Sequence, residues 1–233
     1  MIPPGTEPVR SESSPECPWK VLSSPRFGTY RQAVGGDAEA AGRLYLWNVE
    51  ISGAFYPLLH LLEISSRNAL NERLCARYTR RDWWTVAPLS EEGHRLVGAA
   101  VGKARRKITR EGRRSHTADD VVAELSFGFW VSLLSTRSDR AFWVPSLHRA
   151  FPGYSGRRAP LHSDFMRMLV LRNRVMHHEP IHHRNLTRDH GVLHELLGRL
   201  SQPLAVQCRE FDRVPRILAR RAGVVRGEVP PGF

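Results

Sequence analysis

Large apolar residues return every third or fourth position at Leu44, Trp47, Ile51, Phe55, Leu58 and Leu62, and after a longer gap Ala69 and Leu74 resume the stripe. That spacing places them on one side of an α-helix, which must bury that side against other helices. Asp37 stands ahead of the stripe as a helix start, whereas Pro57, which has no backbone N–H, is expected to kink the helix or split it in two. No segment shows a convincing two-residue alternation of the kind a half-buried strand requires. The expected fold class is therefore all-α, a helical bundle.

The remaining helices follow from caps and periodicity. Trp83 and Trp84 fall in a connector expected to pack on the core. A polar helix is expected over residues 90–110, with Ser90 and Glu92 at its start. Asp119 or Asp120 would cap the next, over residues 121–135, which aligns Val122, Leu125, Phe129 and Leu133. Gly128, between Phe127 and Phe129, suggests close approach of another helix. After a turn-rich loop ending at Pro160, helices are expected over 163–178 and 187–200, the last stopping ahead of Pro203. Three stretches result: a poorly ordered segment over 1–25, a helical domain over 26–205 and a basic, proline-marked tail over 206–233. Such a tail suits docking of RNA or a partner, or disorder.

Charge narrows the partners. Lys and Arg number 35 against 23 Asp and Glu, a net charge of +12, and a field of that sign concentrates polyanions, nucleic acid foremost. Residues 103–114 hold seven of these cations against one Glu, which makes Lys103, Arg105, Arg106, Lys107 and Arg110 candidate phosphate-backbone contacts. The same residues also fit a solvated helix end, where cations suit the dipole. With 41% hydrophobic and 25% charged residues, the chain is not of the disordered class. Cys17, Cys75 and Cys208 are odd in number and lack a Cys-x-x-Cys pair, which argues against a disulfide framework or a cysteine zinc site. The first twenty residues carry no apolar run of a secretory leader, and the longest apolar stretch, 54–62, is broken by Pro57 and His60 and is too short for a bilayer. A cytoplasmic protein without membrane contact is expected.

The segment richest in chemistry is 171–181, Leu-Arg-Asn-Arg-Val-Met-His-His-Glu-Pro-Ile. Arg172 supplies a permanent planar cation suited to phosphate oxygens, and His177 an imidazole able to move a proton. Together they suit phosphodiester chemistry without a metal. Spacing alone would produce about 1.5 Arg-x4-His matches by chance in a chain of this composition. Two occur; Arg157, five before His162, lies in a Gly/Pro/Arg loop over 153–160, whereas Arg172 follows the apolar stripe Phe165, Met168 and Leu169. At about 100° per residue, His177 stands about 140° around an ideal helix from Arg172, so the two do not share a face. The helix loosens ahead of Pro180, a second protomer completes the site, or both apply. Asn173 is a candidate to orient Arg172 or a phosphate, His178 a supporting residue, and Arg174 a surface or interface residue. Glu63 and Arg67, four apart, can pair with each other; alternatively Glu63 reaches the motif helix and fixes Arg172.

This segment resembles the Arg-Asn-x-x-x-His-His-Glu-Pro signature of the Abi-like (abortive infection) proteins of the HEPN superfamily. Ser24-Pro25-Arg26 with Tyr30, Leu44-Tyr45-Leu46-Trp47-Asn48, Leu61-Leu62-Glu63 with Arg67-Asn68-Ala69-Leu70, Trp83-Trp84, the block Ala123-Glu124-Leu125-Ser126-Phe127-Gly128-Phe129-Trp130, and Phe151-Pro152 follow in that family's order over about residues 20–205. The resemblance implies a symmetric homodimer of HEPN-like bundles acting as a metal-independent endoribonuclease, often a toxin or phage-defence effector, with RNA as its substrate and an antitoxin or a regulatory protein as a candidate partner. Arg172 and His177 of each protomer would meet across the dimer interface.

Two other readings accompany it. A non-catalytic helical domain would bind RNA or a partner, using Arg172 only to hold phosphate. Alternatively, six of the eleven histidines, His177, His178, His182, His183, His190 and His194, fall within eighteen residues, and His190 with His194 has the i, i+4 spacing of two zinc ligands. The sequence shows no third ligand at a defined offset and no His-Glu-x-x-His order, so neither metal nor cofactor is assigned.

Overall fold

Asp37 accepts hydrogen bonds from the backbone N–H groups of Glu39 and Ala40 at 2.9 and 3.0 Å, and from that cap one helix runs unbroken from Ala38–Tyr78. In the computed structural model, which describes residues 18–232, this helix is the axis of the molecule. It is α2, following α1 (Ser24–Ala33). Leu44, Trp47, Ile51, Phe55, Leu58 and Leu62 are buried along it, as the stripe requires. Pro57 does not split it. The proline ring lies on the exposed face, and the apolar face on either side holds the helix together against the loss of one backbone bond.

Helix α3 (Glu91–Arg110) starts at Ser90, whose hydroxyl accepts from the Gly93 N–H at 3.2 Å. It buries Val97, Ala100, Ala104 and Ile108 and is therefore amphipathic rather than polar all round. The single helix expected over 121–135 is two, α4 (Ala118–Glu124) and α5 (Phe127–Ser132). Thr117, not Asp119 or Asp120, caps α4, in a capping box closed by Asp120. Ser126 then leaves helical geometry and caps α5 by accepting from the Phe129 N–H, a local bond that competes with continuing the helix. Helix α5 buries Phe127, Phe129, Trp130 and Val131, so it is enclosed by core around most of its circumference rather than along one face. A Cβ on Gly128 would stand 3.8 Å from Leu169, an ordinary packing distance, so no tight helix crossing depends on that glycine. Trp83 and Trp84 are buried in a 3-10 turn, and the Trp83 indole donates to Asn71 at 2.9 Å.

Helix α6 (Arg158–Met176) begins five residues before the expected start, with Pro160 in its first turn, where a missing N–H costs no helix bond. Three further helices follow: α7 (Leu186–Leu200), α8 (Gln202–Glu210) and α9 (Val214–Arg226). Buried Asp189 binds both Arg167 of α6 and Arg184 of the intervening loop, tying α6 to α7. The boundary expected after residue 205 falls within α8, and the stretch expected to be a tail forms a helix on α2. Val214, Ile217 and Val224 are buried, and the Trp47 indole donates to the Ile217 carbonyl at 3.0 Å. Of the N-terminal segment expected to lack order, residues 1–17, with Cys17, lie outside the described residues; residues 18–25 contain a 3-10 turn, Pro18–Val21, and the start of α1. Among the described residues there is no strand, and no helix is long and apolar enough to cross a membrane.

Candidate functional site

The motif sits where α6 ends. Met176 is its last helical residue; the His178 N–H donates to the Val175 carbonyl at 3.2 Å and the Glu179 N–H to the Arg174 carbonyl at 2.8 Å. This pair of bonds is a Schellman cap, and it places His178 at φ 56°, in the left-handed region that usually takes glycine. The helix thus loosens only beyond His177, too late to swing that residue round onto the face of Arg172.

Arg172 points to α2. Its Nε donates to Glu63 Oε2 at 2.9 Å, its Nη2 to Glu63 Oε1 at 3.4 Å, and its Nη1 to Asn173 Oδ1 at 3.4 Å. Of the two readings of Glu63, the structure therefore realises the bridge to the motif helix; Arg67 instead donates to Asn68. The fork is held in one plane with donors to spare for an anion. His177 and His178 are exposed. His177 follows Asn173 by one turn, on the exposed side of α6 that also carries Met166, Val170 and Met176. Val49 and Tyr56 are exposed on α2, the helix against which α6 packs.

Two residues that position the motif escaped the sequence reading. Arg174, expected at the surface or an interface, is half-buried; it donates to the Pro180 carbonyl at 3.1 Å and lies 3.3 Å from His183 Nε2, so it fastens the turn to its own helix. Asn48, buried on α2, accepts from the N–H groups of Ile181 at 2.8 Å and His182 at 3.1 Å. The available signal was a lone amide at helical spacing beside Trp47 on an otherwise apolar face. His182 is buried against the Tyr30 ring, 4.8 Å between centroids, and burial, with His183 and Arg221 nearby, lowers its pKa to about 4.

The basic residues Lys103, Arg105, Arg106, Lys107 and Arg110 are exposed at the end of α3. Among the described residues none of them enters an ion pair. Their helix packs chiefly on α4, so the structure does not merge this patch with the Arg172 site. A separate cluster forms on α7, where His190 and His194 meet Asp212 of the α8–α9 turn, the third group that sequence spacing could not supply. Comparison of the chain with family models, with curated proteins and with solved structures gives no match.

Proposed function

We propose that the protein is a metal-independent endoribonuclease of the HEPN type, working in the cytoplasm as a homodimer, and that Arg172 and His177 from two copies form its active centre. The observation that carries this reading is the arrangement at the end of α6: a guanidinium clamped by Glu63 and Asn173, followed by a solvent-facing imidazole on an exposed apolar stripe. A second copy laid on Met166, Val170 and Met176 would cover that stripe and bring its own motif alongside.

In the proposed reaction His177 of one protomer takes the proton of a ribose 2'-hydroxyl. The 2'-oxygen attacks the adjacent phosphorus in line, and the partner's His177 protonates the leaving 5'-oxygen. The products are a 2',3'-cyclic phosphate and a 5'-hydroxyl. Arg172 stabilises charge building on the nonbridging oxygens, while Glu63 keeps its fork oriented. The exposed cations of α3 add sequence-independent attraction for the RNA backbone.

The test is incubation of purified protein with total RNA in chelator, followed by mapping of the ends. New cyclic-phosphate ends, reduced at least about 100-fold in Arg172→Ala and His177→Ala, are expected. RNA bound but left intact would point instead to a binding module. A Met166→Glu, Val170→Glu chain that remains dimeric by light scattering and cleaves at full rate would remove the composite site.

A further inference from the structure

The α7 histidines lie in a part of the molecule that the ribonuclease reading does not use. His190 Nε2 lies 2.5 Å and His194 Nε2 2.7 Å from the same oxygen, Asp212 Oδ2. All three potential ligand atoms fall within 4.8 Å of one another. The carboxylate is held from behind, since its Oδ1 accepts the Val214 N–H at 2.9 Å. Asp212 and His194 side chains are 6% and 9% exposed, and His190 is 20% exposed, so the cluster is largely withdrawn from solvent.

Hydrogen bonding is an incomplete account of this placement. The second ring nitrogen of His194, Nδ1, is buried without a hydrogen-bond partner among the described residues, so Nε2 makes the only hydrogen bond of that ring there. Both imidazoles aim at one point although i, i+4 residues of a helix have room to diverge. The group also opens onto a cleft of about 870 Å³, whose wall includes Arg199, Gln202 and Arg209 as well as the three cluster residues. Arg172, Asn173 and His177 take no part in that wall.

We propose that His190, His194 and Asp212 form a binding site for a divalent first-row transition metal, zinc in the first instance, with its remaining coordination positions open to the cleft. Two borderline imidazole donors and one hard carboxylate oxygen make a ligand set that Zn²⁺ accepts, and three protein ligands leave room for water or a small anion. The ion would join α7 to the turn between α8 and α9. Its loading therefore stabilises the attachment of the C-terminal helices. The site stands or falls independently of RNA cleavage, because it shares no residue with the motif.

The experiment uses the full chain without a polyhistidine tag, stripped with chelator and dialysed. Zn²⁺ is titrated calorimetrically, and Co²⁺ is added as an optical probe of coordination. One equivalent of Zn²⁺, visible Co²⁺ absorption and a rise in Tm of several degrees on loading are expected. Asp212→Asn, which keeps the size and the cap on Val214, and His190→Ala should each weaken binding at least about tenfold and abolish the Tm rise. No saturable uptake by the unaltered protein would overturn the site. So would equal uptake by both variants, which would assign the metal to the other histidines of residues 177–183.

Discussion

At the scale of single residues the turn after α6 holds most of the consequences. His178 occupies a left-handed conformation with an exposed side chain, a strain of about 1 kcal/mol for a residue with a Cβ. His178→Gly should therefore raise stability by about 1 kcal/mol in denaturant unfolding, and a fall would mean that the imidazole makes a stabilising contact. His182 gives a pH dependence whose sign follows from burial. Its pKa falls from the ordinary 6.5 to about 4 in the folded chain, so between those values the unfolded chain binds the proton first. Stability is complete above pH 6.5 and is lost as pH falls to about 4, by up to about 3 kcal/mol. His182→Phe should flatten this profile between pH 6.5 and about 4; an unchanged profile would assign the acid sensitivity elsewhere. Neither feature was legible in the sequence, where a His-His pair reads as chemistry whether its members are exposed, strained or buried.

Among elements, the pairing of α2 with α6 and the loop beyond it decides what the motif can do. Asn48 satisfies two N–H groups, those of Ile181 and His182, that would otherwise be buried unpaired, and so moors the loop beyond Pro180 to the central helix. Asn48→Ala should cost about 2–3 kcal/mol and speed hydrogen exchange at the Ile181 and His182 amides. Loss of stability without faster exchange there would show that the amide supports α2 rather than the turn. Element boundaries were legible where a cap stood ahead of a periodic run, as at Asp37 and Ser90. They were not legible at Ser126, because a serine inside an apolar run reads equally as a tolerated helix residue or as a new cap, and only its extended backbone with the bond it accepts from the Phe129 N–H settles which.

For the whole molecule, α9 is the element that composition misrepresents. Four arginines and a proline stand among its thirteen residues, yet it packs on α2 more extensively than any other described helix does. Arg220 pairs with buried Glu50 at 3.2 Å, and the Arg43 Nε donates to the Val225 carbonyl at 2.9 Å. Deleting residues 206–233 would uncover Trp47 and remove the burial of Val214, Ile217 and Val224, each worth about 1.5–3 kcal/mol. That sum approaches the whole stability of an ordinary domain, so the truncated chain should lose its cooperative thermal transition. A sharp transition within a few degrees of the full chain would restore the reading of this stretch as a tail.

Periodicity and capping were enough to specify an all-helical chain and the buried face of its longest helix, because both depend on neighbours three and four positions away. Contacts between distant positions lay beyond them. Asn48 with the turn after Pro180, and Asp212 with His190 and His194, are made by side chains whose separation along the chain carries no period, and Glu63 with Arg172 stood only as one of two alternatives for Glu63. Packing brings those groups together, since a buried charge or amide must find a partner and the fold alone decides which one is within reach.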